Sequence, residues 1–257
     1  MASEGKELKD INVEDVQFLI DKQIRKYLED FLEERRKKAK NSTEPLLFVS
    51  ATPRIPKDNI VDIFDPELRK LLENLARTGK GGFDLNCSGR DSLAWRPTLY
   101  GIKAEIEGLK SLEVLRNGHT EFIASDLLRP DKAKMDNTEY RVFHGLEIVE
   151  YLVGFMLFQK EFLACTSISE PVVISVALLN SKDIGMSRLG TEKSLSGPRT
   201  KVRIWTEGNH LVLPSMQLDS IDDPFDIAKV FADRIWNAFG FEKAPFFDER
   251  GNFIPPK

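Results

Sequence analysis

Two cysteines and three histidines in 257 residues leave this chain little of the usual material for disulfide stapling, metal binding or nucleophilic catalysis. Cys87 and Cys165 are far apart and form no CxxC pair. That excludes a disulfide-stapled secreted scaffold and a zinc ribbon built on thiols. A reduced, cytoplasmic setting is the expectation. His119, His144 and His210 include no HExxH and no second histidine at helical spacing, so neither a metal nor a cofactor is expected. Long apolar runs are also missing. The most apolar stretch, Tyr151 to Phe158, is eight residues flanked by Glu147, Glu150, Lys160 and Glu161, whereas a membrane-spanning helix needs about 20. Residues Met1 to Asp10 are polar and lack the apolar core of a secretion signal. Net charge is -4, so contact with nucleic acid would have to come from a local patch rather than from the chain as a whole.

What remains is ordinary globular material, 41% hydrophobic and 30% charged, and enough of it to build a core without staples. Residues 13–40 read as one long helix. Ile20, Ile24, Tyr27 and Phe31 recur at helical spacing, Leu28 and Leu32 widen the stripe, and Asn41-Ser42-Thr43 with Pro45 end it. A stripe this wide exceeds one packing surface, which predicts a homodimer through this first helix. Leu46 to Ala51 reads as a strand. Asp65-Pro66 is a capped helix start, Leu68, Leu71, Leu72 and Leu75 keep the period, and Gly79 stops it. From Pro97 to Leu128 the pattern turns to period two, with Asn117-Gly118 as a tight hairpin turn. Residues 129–138 read as polar loop. Leu146 to Cys165 is a second long helix, apolar almost all round. Pro171 to Leu179 is a buried strand, and 181–200 a long Gly/Ser loop. Val202 to Trp205 and Leu211 to Leu213 are strands joined through Glu207-Gly208-Asn209. Asp223-Pro224 opens the last helix, closed by Gly240.

These elements do not alternate as βαβ units. The expected fold is therefore α+β, a mainly antiparallel sheet packed with two long helices and shorter ones. Residues 1–44 form a connector helix and 45–257 a single globular domain.

Chemistry-bearing motifs are few. Gly185 to Gly190 has GxxxxG spacing, but Thr191 stands where a phosphate loop needs lysine, and Lys193 comes too late. Gly79-Lys80-Gly81-Gly82 follows a helix instead of preceding one. No GxSxG elbow occurs. Cys87, in a Gly/Ser loop, is a candidate free thiol, whereas Cys165 ends an apolar helix and reads as packing. Asp219, Asp222, Asp223 and Asp226 crowd together without calcium-loop spacing, and Asp223 is placed to cap a helix. Two basic segments remain. The Arg-Arg-Lys-Lys run at 35–38 suits a helix C-terminus. The 185–203 loop carries Arg188, Lys193, Arg199, Lys201 and Arg203 against Glu192, a set suited to phosphate.

Four stretches add a resemblance. They are Asp65-Pro-Glu-Leu-Arg-Lys-Leu-Leu-Glu-Asn74, Arg96-Pro-Thr-Leu-Tyr-Gly101, Arg116-Asn-Gly-His-Thr-Glu-Phe122, and Trp236-Asn-Ala-Phe-Gly-Phe241 with Phe247-Asp248 and Gly251. In this order they resemble the region that follows the N-terminal domain in prokaryotic proteins of the Schlafen/AlbA-type DNA-binding family. The resemblance spans roughly residues 15–255. Neither the acidic Glu-Phe-Lys-like strand nor the Ala-Asn-x-x-Gly-Gly segment of the AlbA-type domain is found, so the family's DNA-binding label attaches to no residue here. The resemblance implies a non-catalytic sensor, dimerisation or partner-binding module of a DNA-binding regulator, with nucleic acid reached through that absent domain. Two other readings stay open. One is a hydrolase or nuclease assembled from distant residues around Cys87, His144 or Asp219–Asp226. The other is direct nucleic-acid contact through the 185–203 loop.

Overall fold

The computed structural model describes residues 44–78, 95–106, 109–128, 132–135, 138–168, 171–187 and 202–254, together with Lys26, Asp30 and Glu33. Within these the chain runs β1 (Leu46–Pro53), α1 (Pro66–Thr78), β2 (Arg96–Pro97), β3 (Gly101–Ile106), β4 (Lys110–Leu115), β5 (Thr120–Ala124), β6 (Ala133–Met135), β7 (Thr138–Tyr140), α2 (Gly145–Cys165), β8 (Val172–Leu179), β9 (Gly185–Ser187), β10 (Val202–Ile204), β11 (Leu211–Val212), β12 (Met216–Leu218) and α3 (Pro224–Ala238). The fold is α+β, as the sequence implies. Eight strands form one sheet in the order β11–β8–β1–β5–β4–β3–β2, with β12 also paired to β8. Every pairing in it is antiparallel.

β1 and β8 form the middle of the sheet. Leu47 faces Leu178, Val49 faces Val176 and Ala51 faces Ile174. All of β8 is buried, and all of β1 except its first residue. Strands buried on both faces need apolar or small residues at every position, which is why the two runs are continuous rather than alternating. Beyond β8 the edge is broken. Leu211 pairs with Leu178 and Met216 with Ile174, so five steps on the edge match four on β8. The extra residue falls at Pro214-Ser215. Proline has no N–H to lend to a ladder and is suited to such a bulge, and the Ser215 hydroxyl hydrogen-bonds that of Ser175 at 2.8 Å.

The β4–β5 hairpin refines the sequence reading. Leu115 N donates to His119 O at 2.8 Å and Gly118 N to Leu115 O at 3.0 Å, so the loop is Arg116-Asn117-Gly118. Of Asn117 and Gly118, only Gly118 takes a positive φ, +84°. This is a three-residue loop with glycine in the left-handed position rather than a two-residue turn with two such residues.

α2 is the central helix. Ile148, Val149, Tyr151, Leu152, Val153, Phe155, Met156, Phe158 and Phe162 are all buried along it, and α3, α1 and β1 pack against it. The α3 helix begins at Asp223, whose carboxylate accepts from Phe225 N at 3.0 Å and Asp226 N at 3.2 Å, with Pro224 in the first turn. Asp65 does the same for α1, accepting from Glu67 N at 2.8 Å and Leu68 N at 3.1 Å. The C-terminal stretch closes the core: Phe241, Ala244 and Phe246 are buried, and the Phe246 ring packs edge-on to Trp236 with centroids 5.8 Å apart.

Two sequence expectations change, and the pairing of two further strands is added. Residues 133–140 hold the β6–β7 hairpin, not a polar loop. The stretch read as a long loop from 181 opens with strand β9. β10 and β11 do not pair with each other: β10 pairs with β9 and β11 with β8. Trp205 separates them. It is buried, exchanges backbone hydrogen bonds with Asp183 and Ile184, and its indole donates to Gly208 O at 2.8 Å. The connector helix 13–40 lies outside the described residues except at Lys26, Asp30 and Glu33, which are helical and exposed.

One polar linkage ties α2 to the face of the sheet on which the helices pack. The Tyr151 hydroxyl donates to Asp126 at 2.8 Å, Lys110 lies 3.1 Å from the same carboxylate, and the Lys110 ammonium sits 4.8 Å from the Tyr151 ring centroid. Burial and the Asp126 charge push the Tyr151 phenol well above its ordinary value, so it acts as a permanent donor. Nearby, burial and then Glu147 raise the Glu150 carboxyl above its ordinary value, against the pull of Lys110.

Two predictions follow from this packing. Phe155→Ala, which opens a cavity under α2, lowers stability by about 3–5 kcal/mol in urea unfolding. Because the folded chain holds the Glu150 proton more tightly than the unfolded chain, ionisation costs stability as pH rises above the ordinary glutamate value of 4.5. Glu150→Gln therefore raises Tm at pH 7, and the gain disappears near pH 4. A lower Tm at pH 7 would mean that Lys110 outweighs burial.

Candidate functional site

The residues singled out for chemistry are dispersed through the fold. His144 caps α2, its Nδ1 accepting from Glu147 N at 3.4 Å. His210 Nδ1 accepts from Asn180 N at 3.1 Å. Asp223 caps α3, and Asp222 accepts from the Ser220 hydroxyl at 2.6 Å while its carbonyl receives the Lys160 ammonium at 2.7 Å. Burial, followed by the charge of Asp65, raises the Cys165 thiol, the opposite of what a nucleophilic thiolate needs. Among the described residues no group of three or more His, Cys, Asp or Glu is arranged to hold a metal ion. Gly185 lies within strand β9 opposite Ile204, not in a phosphate-cradling turn. Cys87 and Gly190 lie outside the described residues.

The same is true of Arg188, Lys193, Arg199 and Lys201 from the basic loop. Arg203 is described. It is an exposed residue of β10, with its guanidinium 5.3 Å from the centre of the Phe241 ring. Gly240, at φ +74°, leaves room for it: a Cβ there would come within 2.1 Å of Nη1. A cation at this position also meets the negative end of α3.

The second face of the sheet, turned away from the three described helices, carries a polar row. Ser50, Thr52, His119, Glu121 and Ser175 are each at most 3% exposed. Thr52 Oγ1 and His119 Nδ1 are 2.7 Å apart. Hydroxyl, imidazole and carboxylate are the groups of nucleophilic catalysis, yet here they are buried, with Ser50 beside Glu121 and Ser175 on neighbouring strands. Thr52 is paired with His119 and Ser175 with Ser215, whereas the buried Ser50 hydroxyl has no hydrogen-bond partner among the described residues.

The accessible constellation lies at one end of the sheet. The β2–β3 connection is tight: Thr98 N donates to Gly101 O at 2.8 Å and Gly101 N to the Thr98 hydroxyl at 3.0 Å. Its tip pushes Leu99 and Tyr100 into solvent, 80% and 68% exposed. Gly101 is required, because a Cβ would stand 2.0 Å from Val114 O. Arg116 links this tip to the segment before α1: its N–H donates to Tyr100 O at 2.8 Å and its carbonyl accepts from Val61 N at 2.9 Å. From that segment Phe64 projects, 53% exposed, with Arg69 at 5.2 Å and Arg116 at 5.9 Å from its ring centroid. The nearby carboxylates are turned to backbone amides, Asp62 to Phe64 N and Asp65 to the start of α1. What faces outward is therefore Phe64, Leu99, Tyr100 and Arg69, with half-buried Arg116 beside them.

Sequence reasoning did not single out this patch. A single exposed apolar residue carries no information, and a period-two pattern cannot distinguish a turn tip from a strand. One signal was available: three of the four stretches behind the family resemblance, 65–74, 96–101 and 116–122, meet here. The fourth is structural, with Trp236 buried and Asn237 bonded to Phe241 O at 2.8 Å and Glu242 O at 2.6 Å.

Comparison of the chain with protein-family models, with curated proteins and with solved structures gives no match.

Proposed function

We propose that this chain is a non-catalytic, partner-binding module of a DNA-binding regulator of the Schlafen/AlbA type, and that Phe64, Arg69, Leu99, Tyr100 and Arg116 form its contact surface. The observation that carries the reading is this group of exposed aromatic, aliphatic and arginine side chains at a turn tip. Aromatic and arginine residues are enriched where protein interfaces concentrate their binding energy. A stacked guanidinium also keeps its outward donors for a partner's carboxylate or carbonyl. In support, His144, His210 and Asp223 are each engaged in capping or holding backbone. The regulator context rests on the sequence resemblance.

Two measurements test it. Leu99→Ser with Tyr100→Ser removes two exposed apolar side chains, so Tm stays within about 1 °C of the parent, as for surface changes in general. A fall of several degrees would make the pair structural and remove the reason for assigning them to binding. A photo-crosslinking residue at position 99 should give one discrete protein adduct in the native host, lost in Arg69→Glu/Arg116→Glu. The absence of an adduct, or hydrolytic turnover by the purified chain, overturns the reading. Fluorescence anisotropy with a labelled duplex at about 50 and 200 mM salt separates the alternative: binding that collapses with salt points to phosphate contact and the 185–203 loop.

A further inference from the structure

Among the described residues, four of the eight large apolar side chains that are exposed lie at one end of the sheet. Phe64, Leu99 and Tyr100 are joined there by Ile55, just beyond the end of β1, where Pro53 packs beside Gly118 of the β4–β5 turn. Scattered exposed apolar residues are ordinary, but a gathered set marks a contact site. The same end gathers cations. Arg69 and Arg116 both lie against the Phe64 ring, and among the described residues neither is within ion-pair distance of a carboxylate. Elsewhere Arg96, Arg141 and Lys229 are matched to Glu105, Glu44 and Asp233. The neighbouring carboxylates of Asp62 and Asp65 accept from backbone amides instead.

Charge decides between occupants. A second copy of this chain, docking the same patch on itself, would bring two pairs of arginines together, and like charges across an interface are costly. Nucleic acid needs more cations than this, because affinity for a phosphate backbone comes from several neutralised phosphates. Here two arginines stand near Asp62, Asp65 and Glu67, on a chain of net charge -4. A purely apolar partner would bury guanidinium groups with no counter-charge. An acidic partner with apolar side chains answers both parts of the surface. A guanidinium held over a ring keeps its N–H edge for a carboxylate, which it can meet through two parallel hydrogen bonds.

We infer, resting on the partner-binding reading above, that this end of the sheet takes an acidic segment of a partner protein in which Asp or Glu stand beside apolar side chains. The carboxylates meet Arg69 and Arg116, and the apolar side chains lie on Ile55, Phe64, Leu99 and Tyr100. The surface thus selects anionic partners over basic ones.

The test pans a displayed library of random peptides against the full chain. The enriched peptides should combine Asp or Glu with Leu, Phe or Trp. Used as fluorescent probes, they should lose at least about 10-fold in affinity when Asp and Glu become Asn and Gln, and a similar factor on Arg69→Glu with Arg116→Glu. Peptides carrying Lys in place of Glu should prefer that variant to the parent chain. Should the double variant fail to fold, Arg69→Glu alone, at an exposed position of α1, carries the comparison. No enrichment, enrichment of neutral or basic peptides, acidic peptides that bind the variants equally well, or displacement of the peptide by a DNA duplex would each overturn the inference. A discrete crosslink from position 99 with no acidic peptide enriched removes this inference and leaves the partner-binding reading standing. Absence of both removes both.

Discussion

Burial of α2 on nearly all of its circumference is the constraint on which the other elements depend. A helix with aromatic and aliphatic residues on every side cannot rest on a sheet alone, because its remaining faces would stay in water. The sheet takes one face, through Leu47, Val49, Phe122 and their neighbours, and α1 and α3 take the flanks. Rings within the helix contribute as well, Phe158 to Phe162 at 5.6 Å and Phe155 to Phe158 at 6.2 Å. The C-terminal stretch then seals what α3 leaves open, with Phe246 against Trp236.

The polar groups that accompany this core are placed to hold it. Gln159 of α2 reaches into the sheet to the Thr120 hydroxyl, and Tyr151 is tied to Asp126 and Lys110. Buried polar groups cost stability unless paired, so each such tie also fixes the position of the helix over the strands. His144, Asp65 and Asp223 at helix starts serve the same end. Among the described residues, His144, His210, Asp65 and Asp223 are thus spent on architecture, while Phe64, Leu99 and Tyr100 stay exposed at the β2–β3 turn tip and in the segment before α1.

Much of the fold was legible in the sequence. Asp65-Pro66 and Asp223-Pro224 mark helix starts because the cap and the first-turn proline act within a few residues of each other. The apolar run 146–165 announced a central helix, and 171–179 a strand buried on both faces. Asn117-Gly118 located the hairpin. The misreadings share a cause. Val202 to Ile204 and Leu211-Val212 are both strands, but which strand each one pairs with depends on where buried Trp205 sends the chain. The candidate patch was hidden for the same reason, because Phe64, Tyr100 and Arg116 are far apart in sequence and adjacent only once three loops meet.

By itself, then, the sequence determined the elements: periodicity, caps, turn glycines and the lack of metal- or phosphate-binding motifs all act over a few residues, and each is written locally. Tertiary structure alone decided the order of the strands, the bulge at Pro214-Ser215 opposite Ser175, the burial of the Ser50, Thr52, His119 and Glu121 row, and the exposure of Leu99 and Tyr100. These depend on which surfaces remain after α2 has been covered on most of its circumference, and that is a property of the assembled core and not of any one segment.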